Sequence, residues 1–87
     1  MTSILDGHSI IPVVAIEKVE HAIPLAETLL SGGISVLEVT LRTDAAIESI
    51  TKIINSVPEL IIGSGTVCNE KQFKLSQDIG CKFIVSP

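Results

Sequence analysis

Glu38, Thr40 and Arg42 fall at alternate positions of the segment Val36-Leu37-Glu38-Val39-Thr40-Leu41-Arg42-Thr43. In an extended chain that spacing sets an acid, a hydroxyl and a guanidinium on one side, with Leu37, Val39 and Leu41 as an apolar row on the other. Such a face can pass a proton and hold a small anion. Burying ionised groups is costly unless they are paired or wetted, so the face is expected to line a polar cavity rather than to pack against a helix. A plain ion pair between Glu38 and Arg42, closing the end of a sheet, is the competing reading.

The rest of the chemistry-bearing inventory is thin. Cys68 and Cys81 lack CxxC spacing and an adjacent histidine, so neither a zinc site nor a disulfide framework is expected. His8 sits in an unpatterned lead-in, and His21 reads as a partly solvated helix residue. Gly63-Ser64-Gly65-Thr66 is a weak phosphate-loop signal whose simpler reading is a tight turn after a strand. Thr66 on its own could be a helix or turn cap.

Eighty-seven residues make at most one small domain, and the formal charge of −4 is spread without a basic cluster. Nucleic acid and an anionic membrane surface are therefore not expected as partners. No stretch has the length of a membrane-spanning helix, and Met1 to Ser9 lacks signal-peptide character, which gives a cytoplasmic expectation. The composition is 46% hydrophobic with two aromatics, Phe73 and Phe83, and its wealth of Ile, Val and Leu suits strands covered on both faces.

Apolar runs at Ile10–Ile16, Ile34–Leu41, Leu60–Gly63 and Lys82–Val85 predict four strands. Helical spacing fills the gaps. The first helix is predicted over Val19–Ser31, with Pro24 near its first turn and Gly32-Gly33 as its stop. The second has Thr43 or Asp44 as N-cap and Ala46, Ile47, Ile50, Ile53 and Ile54 on one stripe, ending near Ser56. The third opens at Asn69 with Gln72 three residues on, closes at Gly80, and carries Phe73, Leu75 and Ile79 as a thin apolar face. The order is βαβαβαβ, an α/β chain with a parallel sheet. Strand markers Ile11, Val36, Ile61 and Phe83 are 25, 25 and 22 residues apart. Eight such units come to roughly 200 residues, the lower end for a (β/α)₈ barrel. A doubly wound open sheet competes, but its nucleotide-binding version lacks the G-x-G-x-x-G fingerprint after the first strand.

Taken together, Ile11-Pro12-Val13-Val14, Glu20-His21-Ala22, Gly32-Gly33, the Val36–Thr43 segment, Gly63-Ser64-Gly65-Thr66-Val67 and Ile84-Val85-Ser86-Pro87 resemble the 2-keto-3-deoxy-6-phosphogluconate (KDPG) aldolase family. The resemblance implies a (β/α)₈ TIM barrel of which residues 1–87 form a single partial domain, the first three and a half βα units. It implies a class I, Schiff-base aldolase, typically homotrimeric and needing no metal or other cofactor, that cleaves the phosphorylated keto-deoxy acid to pyruvate and glyceraldehyde 3-phosphate. Glu38 matches the general acid/base that works through a water, Arg42 and Thr66 match the binders of the pyruvate carboxylate, and Pro87 matches a pocket-lining proline. The chemistry agrees: a guanidinium grips a carboxylate through two parallel hydrogen bonds, and a hydroxyl adds a third. Pro87 could equally be no more than the last residue of the chain.

A class I aldolase also needs a lysine amine, because the protonated imine is the electron sink for carbon–carbon cleavage. In the resembling family it lies on the sixth strand. Lys18, Lys52, Lys71, Lys74 and Lys82 all fall elsewhere, and the phosphate site expected in loops after strands seven and eight is absent too. The chain alone is therefore expected to be inactive, with open sheet edges that invite association with another chain. The alternative is a non-catalytic half-barrel, a pairing module or remnant that at most binds keto-acid anions.

Overall fold

Leu37, Val39 and Ile62 alternate with outward-facing neighbours along two central strands, and burying that apolar row organises the molecule. The computed structural model describes residues 11–87, so His8 and the first residue of the first predicted strand lie outside the described part. The elements are β1 (Val13–Val14), α1 (Ala22–Ser31), β2 (Val36–Thr40), α2 (Ala46–Ser56), β3 (Ile61–Gly65), α3 (Glu70–Ile79) and β4 (Phe83–Ile84). A 3₁₀ turn at Val19–His21 leads into α1, so the first predicted helix is two pieces.

All four strands are parallel and lie in the order β1-β2-β3-β4. Chain order equals spatial order, with no reversal point among the described residues. Crossovers that all advance the same way carry successive helices onto one face, and successive helices pack on one another. The core lies between that helical layer and the sheet: Ala22 and Ala26 of α1, Ala46, Ile50 and Ile53 of α2, and Leu37, Val39 and Ile62 beneath them. A doubly wound sheet would reverse its order and cover both faces.

The glycines end two helices as read from sequence. After α1, Gly33 takes a left-handed φ of 89°, and Ile34 and Gly33 donate back to the Leu29 and Leu30 carbonyls at 2.9 and 3.0 Å. Gly80 does the same after α3, with φ 99° and Cys81 donating to Ser76 O at 3.0 Å. Asn69 caps α3, accepting from Gln72 N at 2.9 Å, while the Gln72 side chain accepts from Cys68 N at 2.7 Å.

Three local expectations are corrected. The N-cap position of α2 is Ala45, not Thr43 or Asp44, because the Thr43 hydroxyl donates to Ile16 O and ties the loop after β2 to the one after β1. The inward face of α3 is Ser76 with Ile79, whereas Phe73 and Leu75 are exposed. Ser76 is drawn in by Ser64 of β3, the two hydroxyls lying 2.7 Å apart. Finally, Gly63-Ser64-Gly65 is the body of β3 rather than a turn after it.

Candidate active site

The face of the sheet away from the helices carries the row Val13, Glu38, Gly63 and Phe83 across the four strands. Glu38 is half-buried in the middle of that row, and Thr40, opposite Gly65, comes next toward the carboxyl ends of the strands. The acid and the hydroxyl therefore share a face, as the alternation requires.

The glycines of β3 explain how this face holds its side chains. A Cβ on Gly63 would meet the Phe83 ring, and a Cβ on Gly65 would meet the Glu38 carboxyl. Phe83 thus lies across β3 as an apolar floor beside Glu38. The Glu38 side chain leans forward and sideways, past its register partner Gly63, until its carboxyl lies over Gly65. Burial pushes the Glu38 carboxyl above the ordinary carboxylate value. That direction is opposite to what an ion pair would produce, which disfavours a simple Glu38–Arg42 pair.

Arg42, Thr66 and Pro87 all lie past the carboxyl ends of β2, β3 and β4. The Glu38 carboxyl points to the same end, so the four predicted residues share one rim. They are not gathered in one hollow. β2 ends at Thr40, which takes Arg42 off the strand, and its exposed side chain lines a depression with Ala15, Glu17, Thr43, Asp44 and Ala45. A second depression, between β4 and the start of α3, is lined by Val67, Cys68, Phe73, Ile84 and Ser86. Thr66 is half-buried and holds a left-handed φ of 58°, an uncommon conformation for a β-branched residue and one that concentrates at functional sites. The backbone is fixed there by Val67 N, which donates to Val85 O at 3.1 Å. Pro87 is exposed at the rim.

All five lysines are exposed. Lys52 is on α2, Lys71 and Lys74 are on α3, Lys82 precedes β4, and Lys18 lies past β1, so none is on a strand of the Glu38 face. Among the described residues no group of three His, Cys, Asp or Glu side chains could hold a metal ion, and no helix is long and apolar enough to cross a membrane. The residues missed from sequence are Gly63, Gly65 and Phe83. Their signal was in the register: two glycines spaced by two on the strand beside an in-strand glutamate.

A family model described as KDPG and KHG aldolase matches residues 1–87. The KHG/KDPG aldolase of Escherichia coli (strain K12) is 46% identical over 85 residues, covering 98% of this chain and 40% of that protein. The 2-dehydro-3-deoxy-phosphogluconate aldolase of Pseudoalteromonas atlantica is 51% identical over 78 residues, 90% of this chain and 36% of that one. The crystal structure of the KDPG aldolase from Legionella pneumophila, with pyruvate captured at low pH as a covalent carbinolamine intermediate, superposes with a TM-score of 0.85 at 49% identity, over 88% of this chain and 37% of that chain. That of the Zymomonas mobilis ATCC 29191 aldolase gives 0.82 at 49% identity, over the same shares. The chain thus spans about two fifths of the length of these relatives, and its four strands correspond to the first part of a TIM barrel.

Proposed function

The chain belongs to the KDPG and KHG aldolase family, and from that premise we propose that it supplies the proton-transfer and carboxylate-binding wall of a class I aldolase that cleaves 2-keto-3-deoxy-6-phosphogluconate to pyruvate and glyceraldehyde 3-phosphate. The observation that carries the reading is the Glu38 carboxyl lying over Gly65, aimed at the rim that holds Arg42, Thr66 and Pro87. A carboxyl whose pKa is raised by partial burial suits a group that must both give and take a proton. In this reading Glu38 exchanges protons through a water during carbinolamine formation and again as the carbon–carbon bond breaks. Arg42 and the Thr66 hydroxyl hold the keto acid's carboxylate, and Pro87 lines the same pocket.

The amine that forms the imine is not among the five lysines of this chain, so residues 1–87 alone are proposed to bind keto acids weakly and to turn nothing over. The working protein is proposed to be a cytoplasmic homo-oligomer, a trimer as in the family. Exposed Val13 and Val85 at the two edges of the sheet support burial against further chain.

The test has two parts. In a nitrogen–proton correlation spectrum, pyruvate should shift the Glu38, Arg42 and Thr66 resonances, and Arg42→Ala should abolish the response; three unmoved resonances would refute the assignment. Borohydride reduction with pyruvate, followed by intact mass, should leave residues 1–87 unmodified. An adduct on Lys18 would overturn the proposed inactivity.

A further inference from the structure

Thr40 is the residue of the Glu38 face that the reading above does not use. It is 7% exposed, and its hydroxyl oxygen is shut off from solvent with no hydrogen-bond partner among the described residues. A buried hydroxyl without a partner is destabilising, and valine would fill the same shape without that cost. Packing therefore gives no reason for threonine here, and the adjoining chemistry does.

Thr40 follows Glu38 by two residues, so both project from the same face, and its register partner is Gly65. The Glu38 carboxyl occupies the space directly over Gly65. Paired strands lie about 4.8 Å apart, so the carboxyl and the Thr40 side chain stand side by side across one strand spacing. A threonine side chain has three staggered positions for its oxygen. We propose that Thr40 is the positioning residue for Glu38, its hydroxyl turning by one χ1 step to donate a hydrogen bond to the Glu38 carboxylate, directly or through one water. When Glu38 is protonated the hydroxyl returns to its sealed position. This inference rests on the reading of Glu38 as proton carrier, and it adds the group that fixes where the carrier sits.

The flanking positions hold no competing titratable group: Val13, Gly63, Gly65 and Phe83 surround Glu38 on β1, β3 and β4. The charged residues that follow β1 and β2, Glu17, Lys18, Arg42 and Asp44, stand past the strand ends.

The experiment follows the Glu38 side-chain carboxyl carbon by NMR through a pH titration of the 87-residue chain, together with the three-bond couplings that report Thr40 χ1. In the wild-type chain the Thr40 couplings should change with the same midpoint as Glu38; couplings that stay flat would overturn the proposal without any variant. A hydrogen bond to the charged form favours that form, so Thr40→Val should raise the Glu38 midpoint by about one pH unit. Thr40→Ser should restore it. Val and Ser both leaving Glu38 unmoved, or both raising it alike, would make Thr40 a packing residue only. Pyruvate in the same samples separates the two readings. Loss of the Arg42 and Thr66 response with Thr40 and Glu38 still coupled would sink the keto-acid site and spare this inference.

Discussion

The Glu38 carboxyl fills the volume that a side chain on Gly65 would need, diagonally across the β2–β3 ladder from its own register partner Gly63. Glycine at that position is therefore a requirement of the glutamate rather than of the backbone. Gly65 has no left-handed φ to explain it, unlike Gly33 and Gly80. The displaced group would be the free end of a flexible side chain.

Gly65→Ala should accordingly cost little stability while moving the carboxyl off the rim. The Glu38 midpoint, read by NMR titration, should fall back toward the ordinary carboxylate value as the group swings into solvent, and any keto-acid response at Glu38 should disappear. An unchanged midpoint would mean that the carboxyl does not depend on the space over Gly65.

Gly63→Ala should behave differently, because the obstacle is the ring of Phe83, which is itself buried. Overpacking of this kind costs about 1–3 kcal/mol, readable as a lower urea midpoint. Combining it with Phe83→Leu should recover part of the loss, the non-additivity expected of residues in contact. Strict additivity would argue against the contact.

Stability should depend on the charge of Glu38 with a definite sign. Its carboxyl is raised in the folded chain above the ordinary 4.5, so in the window between the two values the folded state binds more protons than the unfolded one. The contribution of this group to stability therefore declines as pH rises through that window. Glu38→Gln removes the decline: the urea midpoints of variant and wild type should agree at low pH, and the variant should be the more stable at neutral pH. A variant less stable at neutral pH would indicate a favourable charge interaction instead of desolvation.

Thr66→Gly should separate stability from binding. A β-branched residue at φ 58° stores about 1–3 kcal/mol, and glycine releases it while adding about 0.5–1 kcal/mol of chain entropy cost. The urea midpoint should hold or rise as the pyruvate response weakens with the lost hydroxyl. A clear fall in the midpoint would show that the Thr66 side chain is needed for folding.

The strands and the acid-bearing face were legible because an in-strand glutamate satisfies only one assignment of faces in an apolar run, and the even spacing of the runs matches the unbroken β1-β2-β3-β4 order. What escaped depends on contacts between elements. Nothing in the local sequence says that β2 stops at Thr40 and leaves Arg42 in a turn, or that the Thr43 hydroxyl is committed to Ile16 and cannot cap α2. The mistaken face of α3 has the same origin: Phe73 and Leu75 outrank Ser76 on hydrophobicity, but Ser64 across the sheet offers Ser76 a buried partner that no periodicity reveals. The Gly-Ser-Gly run was read as a turn because glycine usually marks one, whereas here it makes room for Phe83 and Glu38.

The lengths of the strands have a consequence of their own. β2 and β3 pair over five residues each, while β1 and β4 pair over only two. Opening at either margin of the sheet breaks short ladders and leaves the central one closed, so the amides around Glu38 and Gly65 should be the last to exchange with heavy water. Glu38 is mounted on the part of the sheet that breathes least, and the aim of its carboxyl is insulated from motion at the two margins.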